Sequence, residues 1–135
     1  PDVLIAFNPA ALKVNLPILP KGALIILNTD EFNERNFLKA HIKADPRTTG
    51  ELADYRVIEI AIKAQTLEAV KPSGLSKRDA EQCKNFWGLG CVLWMFGRDR
   101  APIEAWINRK FANEPAVLAG NMMALAAGHA YAETA

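Results

Sequence analysis

The chain has 135 residues, of which 50% are hydrophobic and 23% are charged, a composition typical of one globular domain. Sixteen Lys and Arg residues against fifteen Asp and Glu residues leave a formal net charge of +1. No global basic field would therefore attract nucleic acid or an anionic membrane, and we expect neither as a partner. The apolar runs are too short for a transmembrane helix or a signal peptide, which predicts a cytoplasmic protein.

The chain begins with Pro1 and Asp2, without an initiator Met, and enters an apolar run at once. Because the first residues of most domains are loosely held, we expect that further sequence precedes Pro1.

Two short apolar runs, residues 3–7 and 23–27, are each followed by an asparagine, Asn8 and Asn28. Continuous apolar runs of this length are typical of strands that are covered on both faces. Between them, residues 9–16 predict a short helix with Asn8 as its N-cap. This alternation of strand and helix favours parallel pairing.

The next segments combine a short helix, a polar loop and a third strand. Residues 32–42 predict the helix, and residues 44–54 form a polar loop that we expect to take its final form against a partner. Residues 55–62 predict a strand whose charged insertions indicate the edge of a sheet.

The chain is predicted to be helical beyond Thr66. Ser76, with Asp79 three residues later, is expected to cap the longest helix, which ends at Gly97. Gly88 and Gly90 weaken that helix, which suggests the close approach of another backbone. Two further helices are predicted to begin at Pro102 and to span about residues 116–131, and the many small residues of the second permit tight packing.

Few residues have the chemistry of a catalytic or metal site. Cys83 and Cys91 are expected to be buried, unpaired thiols two turns apart on one helix, and neither belongs to a CxxC pair. His41 and His129 have no acidic residue or cysteine at ligand spacing. We predict no catalytic residue and no metal ligand in this chain.

The segments that follow the first two strands are the best candidates for a binding site. Parallel α/β sheets bind ligands beyond the carboxyl ends of their strands, which selects Asn8, Asn28, Thr29 and Asp30. Carboxamides near a helix N-terminus can hold a polar or phosphorylated group. The alternative is structural, with Asn8 and Asp30 each capping the helix that follows.

The segment from Asn85 to Gly90, Asn-Phe-Trp-Gly-Leu-Gly, has two interpretations. Its aromatic residues could line a ligand site. At helical spacing, however, aromatic residues and glycines more often form a packing surface, and we favour a subunit or domain interface.

Five segments together resemble the gamma domain of the 2-oxoacid:ferredoxin oxidoreductases, in the form fused ahead of the thiamine-binding alpha region of two-subunit 2-oxoglutarate enzymes. These segments are residues 8–12 (NPAAL), 28–32 (NTDEF), 84–90 (KNFWGLG), 109–111 (RKF) and 128–134 (GHAYAET). The family's glycine-rich GxGGQG loop, which lies near the coenzyme A side of the active site, is absent from this sequence.

The resemblance implies a complex that converts 2-oxoglutarate or pyruvate to an acyl-coenzyme A and reduces ferredoxin, or runs in reverse. Its implied cofactors are thiamine diphosphate, magnesium, coenzyme A and an iron–sulfur cluster, none of them held by this chain alone. The implied partners are the alpha region, the beta subunit and ferredoxin. The isolated chain is expected to be inactive, and Asn8, Asn28, Thr29 and Asp30 are the residues expected to face coenzyme A.

The sequence thus predicts an α/β domain with three αβα layers, a mainly parallel sheet and a helical C-terminal half. It is interpreted as one partial gamma-type domain over residues 1–135, with strands and short helices in residues 1–64 and helices in 65–135. A second interpretation is a non-catalytic assembly or binding module with a Rossmann-like fold. An NAD-dependent enzyme is disfavoured, because the GxGxxG fingerprint is missing.

Overall fold

The computed structural model describes residues 2–135. The chain divides after Ile62 into two compact units, unit 1 up to Ile62 and unit 2 over Lys63–Ala135. The change from strands to helices that the sequence predicts after residue 64 falls two residues from this division. The interpretation of the whole chain as a single domain stays a prediction.

Unit 1 is built around a parallel sheet of three strands in the order β1-β2-β3. The strands are β1 (Val3–Ala6), β2 (Leu24–Asn28) and β3 (Arg56–Ile60). Because all three run in the same direction, their carboxyl ends meet at one edge of the sheet. The predicted α/β class, with a parallel sheet and a helical C-terminal half, is confirmed. As its charged residues predict, β3 is an outer strand of the sheet.

The strands differ in burial. Every residue of β2 is buried, whereas Val3, Leu4 and Ile5 of β1 are only half-buried. The expectation that both apolar strands are covered on both faces is therefore correct for β2 and wrong for most of β1. Within residues 2–135, β1 has a neighbouring strand on one side only, so fewer side chains surround it.

Two short helices in unit 1, α1 (Pro9–Asn15) and α2 (Glu34–Lys39), begin at asparagine caps. Asn8 accepts a hydrogen bond from the Ala11 N–H at 2.8 Å, which confirms its predicted role as a cap. The cap of α2 is Asn33, which accepts from the Asn36 N–H at 3.0 Å. The alternative that Asp30 caps this helix is wrong, because Asp30 lies in a preceding 3-10 turn.

Helix α2 is shorter than the predicted segment 32–42 because it ends in a left-handed residue. His41 has a φ of 58°, and the Ile42 N–H donates to the Phe37 carbonyl at 2.9 Å, closing the helix in a Schellman motif. The Lys13 ammonium caps the same end, donating to the carbonyls of Ala40 at 2.9 Å and His41 at 3.3 Å.

The core of unit 1 joins one face of the sheet to both helices and to the loop before β3. Its buried members are Ala6, Leu12, Ile25, Leu27, Phe32, Phe37 and Leu52. At about 1.5 to 3 kcal/mol for each large apolar side chain, this burial is a main contribution to the stability of the unit.

The polar loop over residues 44–54 is held by hydrogen bonds within this chain, and the expectation that a partner shapes it stays a prediction. The Arg47 guanidinium donates to both carboxylate oxygens of Asp45, to Glu59 of β3 at 3.1 Å and to the Phe32 carbonyl at 3.4 Å. The Gly22 N–H donates to the Asp54 carbonyl at 2.8 Å. Polar composition alone gave no sign that these groups satisfy one another.

Unit 2 is helical. Its elements are α3, which begins at Ile62 and ends at Ala69, α4 (Lys77–Glu81), α5 (Lys84–Met95), α6 (Ala101–Lys110) and α7 (Pro115–Thr134). The prediction that Ser76 starts the longest helix is wrong. Ser76 does cap a helix, accepting from the Asp79 N–H at 3.2 Å, but that helix breaks before Cys83, and α7 is the longest. Gln82 and Cys83 keep helical backbone angles at the break, so residue periodicity does not reveal it.

Helices α5 and α7 pack closely along a surface of small residues. A Cβ atom at Gly90 would overlap the Leu125 carbonyl oxygen, and one at Gly128 would overlap the Trp87 carbonyl oxygen. The close backbone approach predicted from Gly90 is confirmed, and its partner is α7 of this same chain. Trp87 is buried beside Tyr131, with ring centroids 5.1 Å apart.

Over residues 2–135, none of the helices combines the length and the apolar character that a bilayer-crossing helix requires.

Candidate functional site at the carboxyl edge of the sheet

The four predicted site residues follow two adjacent strands. Asn8 comes two residues after the end of β1, and Asn28 is the last residue of β2, followed by the 3-10 turn Thr29–Glu31. The register pairs Ala6 with Leu27, so the two strands end at nearly the same level. The structure therefore places all four residues at the carboxyl edge of the sheet.

Asn28 differs from the other three because its side chain is buried, with 1% of its surface exposed. Its amide nitrogen donates to the Phe7 carbonyl at 3.2 Å, and its amide oxygen accepts from the Ile62 N–H at 3.0 Å. Phe7 follows β1 and Ile62 follows β3, so one carboxamide connects the ends of all three strands. Asn28 thus holds the carboxyl ends of the three strands together from inside the fold.

The other three residues are accessible to solvent. Asn8 and Asp30 are exposed and Thr29 is half-buried. The Asn8 side-chain oxygen accepts the cap hydrogen bond from Ala11, and a carboxamide retains two N–H donors beside its oxygen. The exposed edge therefore offers amide and hydroxyl groups together with the Asp30 carboxylate.

The charges near the edge favour neutral polar groups over phosphate. Asp30 and Glu31 are consecutive acidic residues, and the Glu31 carboxylate accepts from the Asn36 amide at 2.9 Å. The nearby Arg47 guanidinium is already engaged by the Asp45 and Glu59 carboxylates. These contacts raise the pKa of Arg47, chiefly through the Asp45 hydrogen bond, and its hydrogen bonds lower the pKa of Asp45. An incoming phosphate would meet carboxylates rather than an uncommitted cation.

The donor set of a metal or cluster site is not assembled in the described part of the chain. No group of three or more His, Cys, Asp or Glu side chains there could hold a metal ion. Cys83 and Cys91 are free and buried. Burial raises the pKa of the Cys83 thiol, with a further contribution from Asp79, and raises that of Cys91 to about 11. Within the described residues, the two thiols belong to no group of three or more potential metal ligands.

The aromatic segment from Asn85 to Gly90 contributes to packing inside unit 2. Trp87, Gly88 and Gly90 are buried, and Phe86 packs edge to face on Phe111 with centroids 6.4 Å apart. Asn85 is exposed. At Gly90 the interface hypothesis is wrong, because this glycine packs against α7 of the same unit and not against another subunit or domain.

Sequence reasoning missed two residues that the structure singles out. Arg47 organises the polar loop, and Asn121 is a buried carboxamide inside the alanine-rich helix α7. The signal for Asn121 was available, because a lone asparagine in a helix of small apolar residues requires a polar partner or a ligand.

Comparison with known proteins places this chain in a family. The sequence pattern of the family described as pyruvate ferredoxin/flavodoxin oxidoreductase matches residues 1–131. The chain belongs to this family. It is also 46% identical over 134 residues to a protein of Mycobacterium tuberculosis named 2-oxoglutarate oxidoreductase subunit KorA. That alignment covers 99% of this chain and 20% of the relative, so the chain spans about one fifth of the relative's length. No solved structure matches the chain.

The family assignment confirms the resemblance that five separate segments indicated. Those segments are spread over both units, and the family match extends across both.

Proposed function

We propose that this chain is the gamma-type region of a 2-oxoacid:ferredoxin oxidoreductase that acts on 2-oxoglutarate. The observation that carries the proposal is the 46% identity, over nearly the whole chain, to a subunit of a 2-oxoglutarate oxidoreductase. The complete assembly would decarboxylate the 2-oxoacid oxidatively, transfer the acyl group to coenzyme A and reduce ferredoxin, or run in the opposite direction.

The chemistry of this reaction would be supplied outside this chain. Thiamine diphosphate provides the carbanion chemistry in enzymes that use it, and the described residues offer no donor set for magnesium or an iron–sulfur cluster. We propose that the alpha region and the beta subunit of the same assembly hold these groups, with ferredoxin as the electron acceptor. The isolated chain would then have no turnover.

The carboxyl edge is the part of this chain that we propose faces coenzyme A. Coenzyme A carries two amide groups in its pantetheine arm, and amide groups suit an edge that offers Asn8, Thr29 and the Asp30 carboxylate. Asn28 would act beneath them as a positioning residue, since its carboxamide is already bonded to Phe7 and Ile62. The acidic pair Asp30 and Glu31 favours the amide arm over the phosphates at this position.

A second function, assembly, is favoured by apolar side chains that remain exposed. In unit 1, Val14, Ile18 and Leu38 are 72%, 79% and 74% exposed, and in unit 2 Trp94 and Trp106 are 39% and 44% exposed. Large apolar side chains on a surface are typical of protein interfaces. An assembly role is compatible with the catalytic proposal, because a region of a complex must also contact its partners.

The proposal is tested by assaying the complete protein that contains this chain, purified with its partner subunits. We expect ferredoxin reduction that requires both coenzyme A and 2-oxoglutarate, with kcat/KM for 2-oxoglutarate at least about ten-fold above that for pyruvate, as expected for a site built for the longer acid. The 135-residue chain alone serves as the control and should show no turnover. An assembly that forms but oxidises no 2-oxoacid would favour the non-catalytic module instead.

A further inference from the structure

The most informative feature outside the carboxyl edge is a cleft in unit 2 where α5 begins and α7 passes. Its volume is about 520 Å³, within the range of small-molecule sites. All of its lining residues belong to unit 2, and they include Asn85, Phe86, Phe111 and Asn121.

Asn121 is the residue that distinguishes this cleft from a surface groove. Its side chain is buried, with 4% exposed, yet its carboxamide has no hydrogen-bond partner among residues 2–135. The amide atoms are not sealed off from solvent, which is consistent with the position of Asn121 in the cleft wall. Because these amide atoms face the cleft and bond to no protein group that the structure describes, a polar group that enters the cleft can replace the water there and pair with them in the bound state.

The chemistry of the wall restricts what that group can be. A carboxamide presents one acceptor beside one donor, and it pairs in two hydrogen bonds with another amide or with a heterocycle that has the same pattern, as asparagine does with adenine. Phe86 and Phe111 add an aromatic wall, because their rings pack edge to face with centroids 6.4 Å apart. A flat group with polar atoms along one edge matches these two features.

The charged residues around the cleft do not favour an anion. Asp79 and Glu114 contribute two carboxylates and Lys84 one ammonium group. The lining charge is therefore one negative unit at neutral pH, from two acidic groups and one basic group. Phosphate or carboxylate ligands are disfavoured relative to neutral ones.

We infer that the cleft lined by Asn121, Asn85, Phe86 and Phe111 binds a neutral planar group through an amide-type edge that pairs with the Asn121 carboxamide. Two sources carry this chemistry, a free heterocyclic amide and a peptide group of another polypeptide. The site is distinct from the carboxyl edge of the sheet, and it rests on no part of the proposed catalytic function.

The test uses the complete protein that contains this chain and saturation-transfer difference NMR, which detects weak binding to large proteins through the ligand signals. The probes are adenine and nicotinamide for a free heterocycle and N-acetylglycine methylamide for a peptide group. We expect at least one probe to bind and Asn121→Leu to weaken that binding about ten-fold or more, equivalent to loss of about 1.4 kcal/mol. Asn108→Ala is the control on α6 and should leave binding unchanged, because Asn108 is exposed and does not line the cleft.

Thermal unfolding of the same variant supplies an independent readout. Because water can satisfy the Asn121 carboxamide in the unliganded cleft, its removal should not weaken the fold, and Asn121→Leu is expected to melt at or above the Tm of the parent. The inference is overturned if no probe binds, if the variant binds the probes as well as the parent does, or if Asn121→Leu lowers the Tm while Asn108→Ala does not. The third outcome would mean that Asn121 supports the fold rather than a ligand.

Discussion

Asn28 is the residue on which the geometry of the carboxyl edge depends most. Its carboxamide is buried and satisfies one group after β1 and one group after β3. Such a bridge replaces two backbone hydrogen bonds that the sheet cannot make beyond the ends of its strands. The sequence predicts Asn28 at the end of a strand. The burial of its side chain, however, depends on Phe7 and Ile62, which lie 21 and 34 positions away along the chain.

Removal of this bridge should cost stability. Asn28→Ala removes the hydrogen bonds to the half-buried Phe7 carbonyl and the buried Ile62 N–H, and the loss of a buried hydrogen-bond partner costs about 1 to 3 kcal/mol. We expect the free energy of unfolding, measured by urea denaturation, to fall by about 2 kcal/mol or more. Asn15→Ala is the control, because over residues 2–135 the Asn15 side chain bonds only within its own helix turn, to the Ala11 carbonyl. Equal losses for the two variants would show that Asn28 has no special structural role.

The burial of Cys91 predicts that the stability of the protein depends on pH. In the folded chain burial raises the pKa of Cys91 from 9.0 to about 11, so the buried thiol stays protonated while the unfolded thiol ionises. Because the pKa of Cys91 is higher in the folded state than in the unfolded state, the stability that its buried thiol contributes is fully present below pH 9. That stability is lost as the pH rises toward 11.

The measurement compares the parent with Cys91→Ala. The difference in their free energies of unfolding should shrink by on the order of 1 to 2 kcal/mol between pH 8 and pH 11. A difference that stays constant over this range would contradict the burial of the Cys91 thiol. Effects of lysine titration are common to both proteins and cancel in the comparison.

At the scale of elements, the contact between α5 and α7 is the main packing event in unit 2. Gly90 and Gly128 let the two backbones approach until a methyl group at either position would collide with a carbonyl. The obstructing atoms belong to the main chain, so they cannot rotate away as a side chain could. Helix propensity favours alanine over glycine, but steric overlap dominates here.

We therefore expect Gly128→Ala and Gly90→Ala to destabilise the protein by about 1 to 3 kcal/mol or more each, although alanine is the better helix former. Ala126→Ser on α7 is the matched control, because Ala126 is exposed and should change stability by less than about 0.5 kcal/mol. Thermal denaturation followed by circular dichroism measures all three variants. A Gly128→Ala protein as stable as the parent would exclude the close helix crossing.

The elements that can be predicted from the sequence are those whose signals lie within a few neighbouring residues. Apolar runs, asparagine caps and terminal glycines were read correctly at β2, α1 and the end of α5, because these signals are local. The break before Cys83, the early end of α2 at His41 and the Arg47 network were not predicted. The end of α2 depends on a backbone angle that histidine does not favour, and the Arg47 network depends on contacts between distant segments. The break before Cys83 keeps helical backbone angles, so residue periodicity does not reveal it.

At the scale of the whole molecule, the family assignment covers both units, including the carboxyl edge with its candidate residues. The family match spans both units, the described residues assemble no metal-binding cluster, and the polar candidates gather at one edge of the sheet. Sequence reasoning placed Asn8, Asn28, Thr29 and Asp30 together, because parallel strands bring their carboxyl ends to one edge. It could not show that Asn28 is buried while Asn8 and Asp30 are exposed.

The most specific proposal is that this chain faces coenzyme A in an assembly that oxidises 2-oxoglutarate, with the catalytic groups held by other regions. The sharpest test is steady-state kinetics of the complete assembly carrying Asp30→Asn. Asp54→Asn is the control, because Asp54 is also exposed but precedes β3, at the amino ends of the strands. We expect Asp30→Asn to raise the KM for coenzyme A by about three-fold to ten-fold, because a charged hydrogen-bond acceptor is replaced by a weaker neutral one, without changing the KM for 2-oxoglutarate. A KM for coenzyme A that is unchanged in Asp30→Asn, or that rises equally in Asp54→Asn, would contradict it.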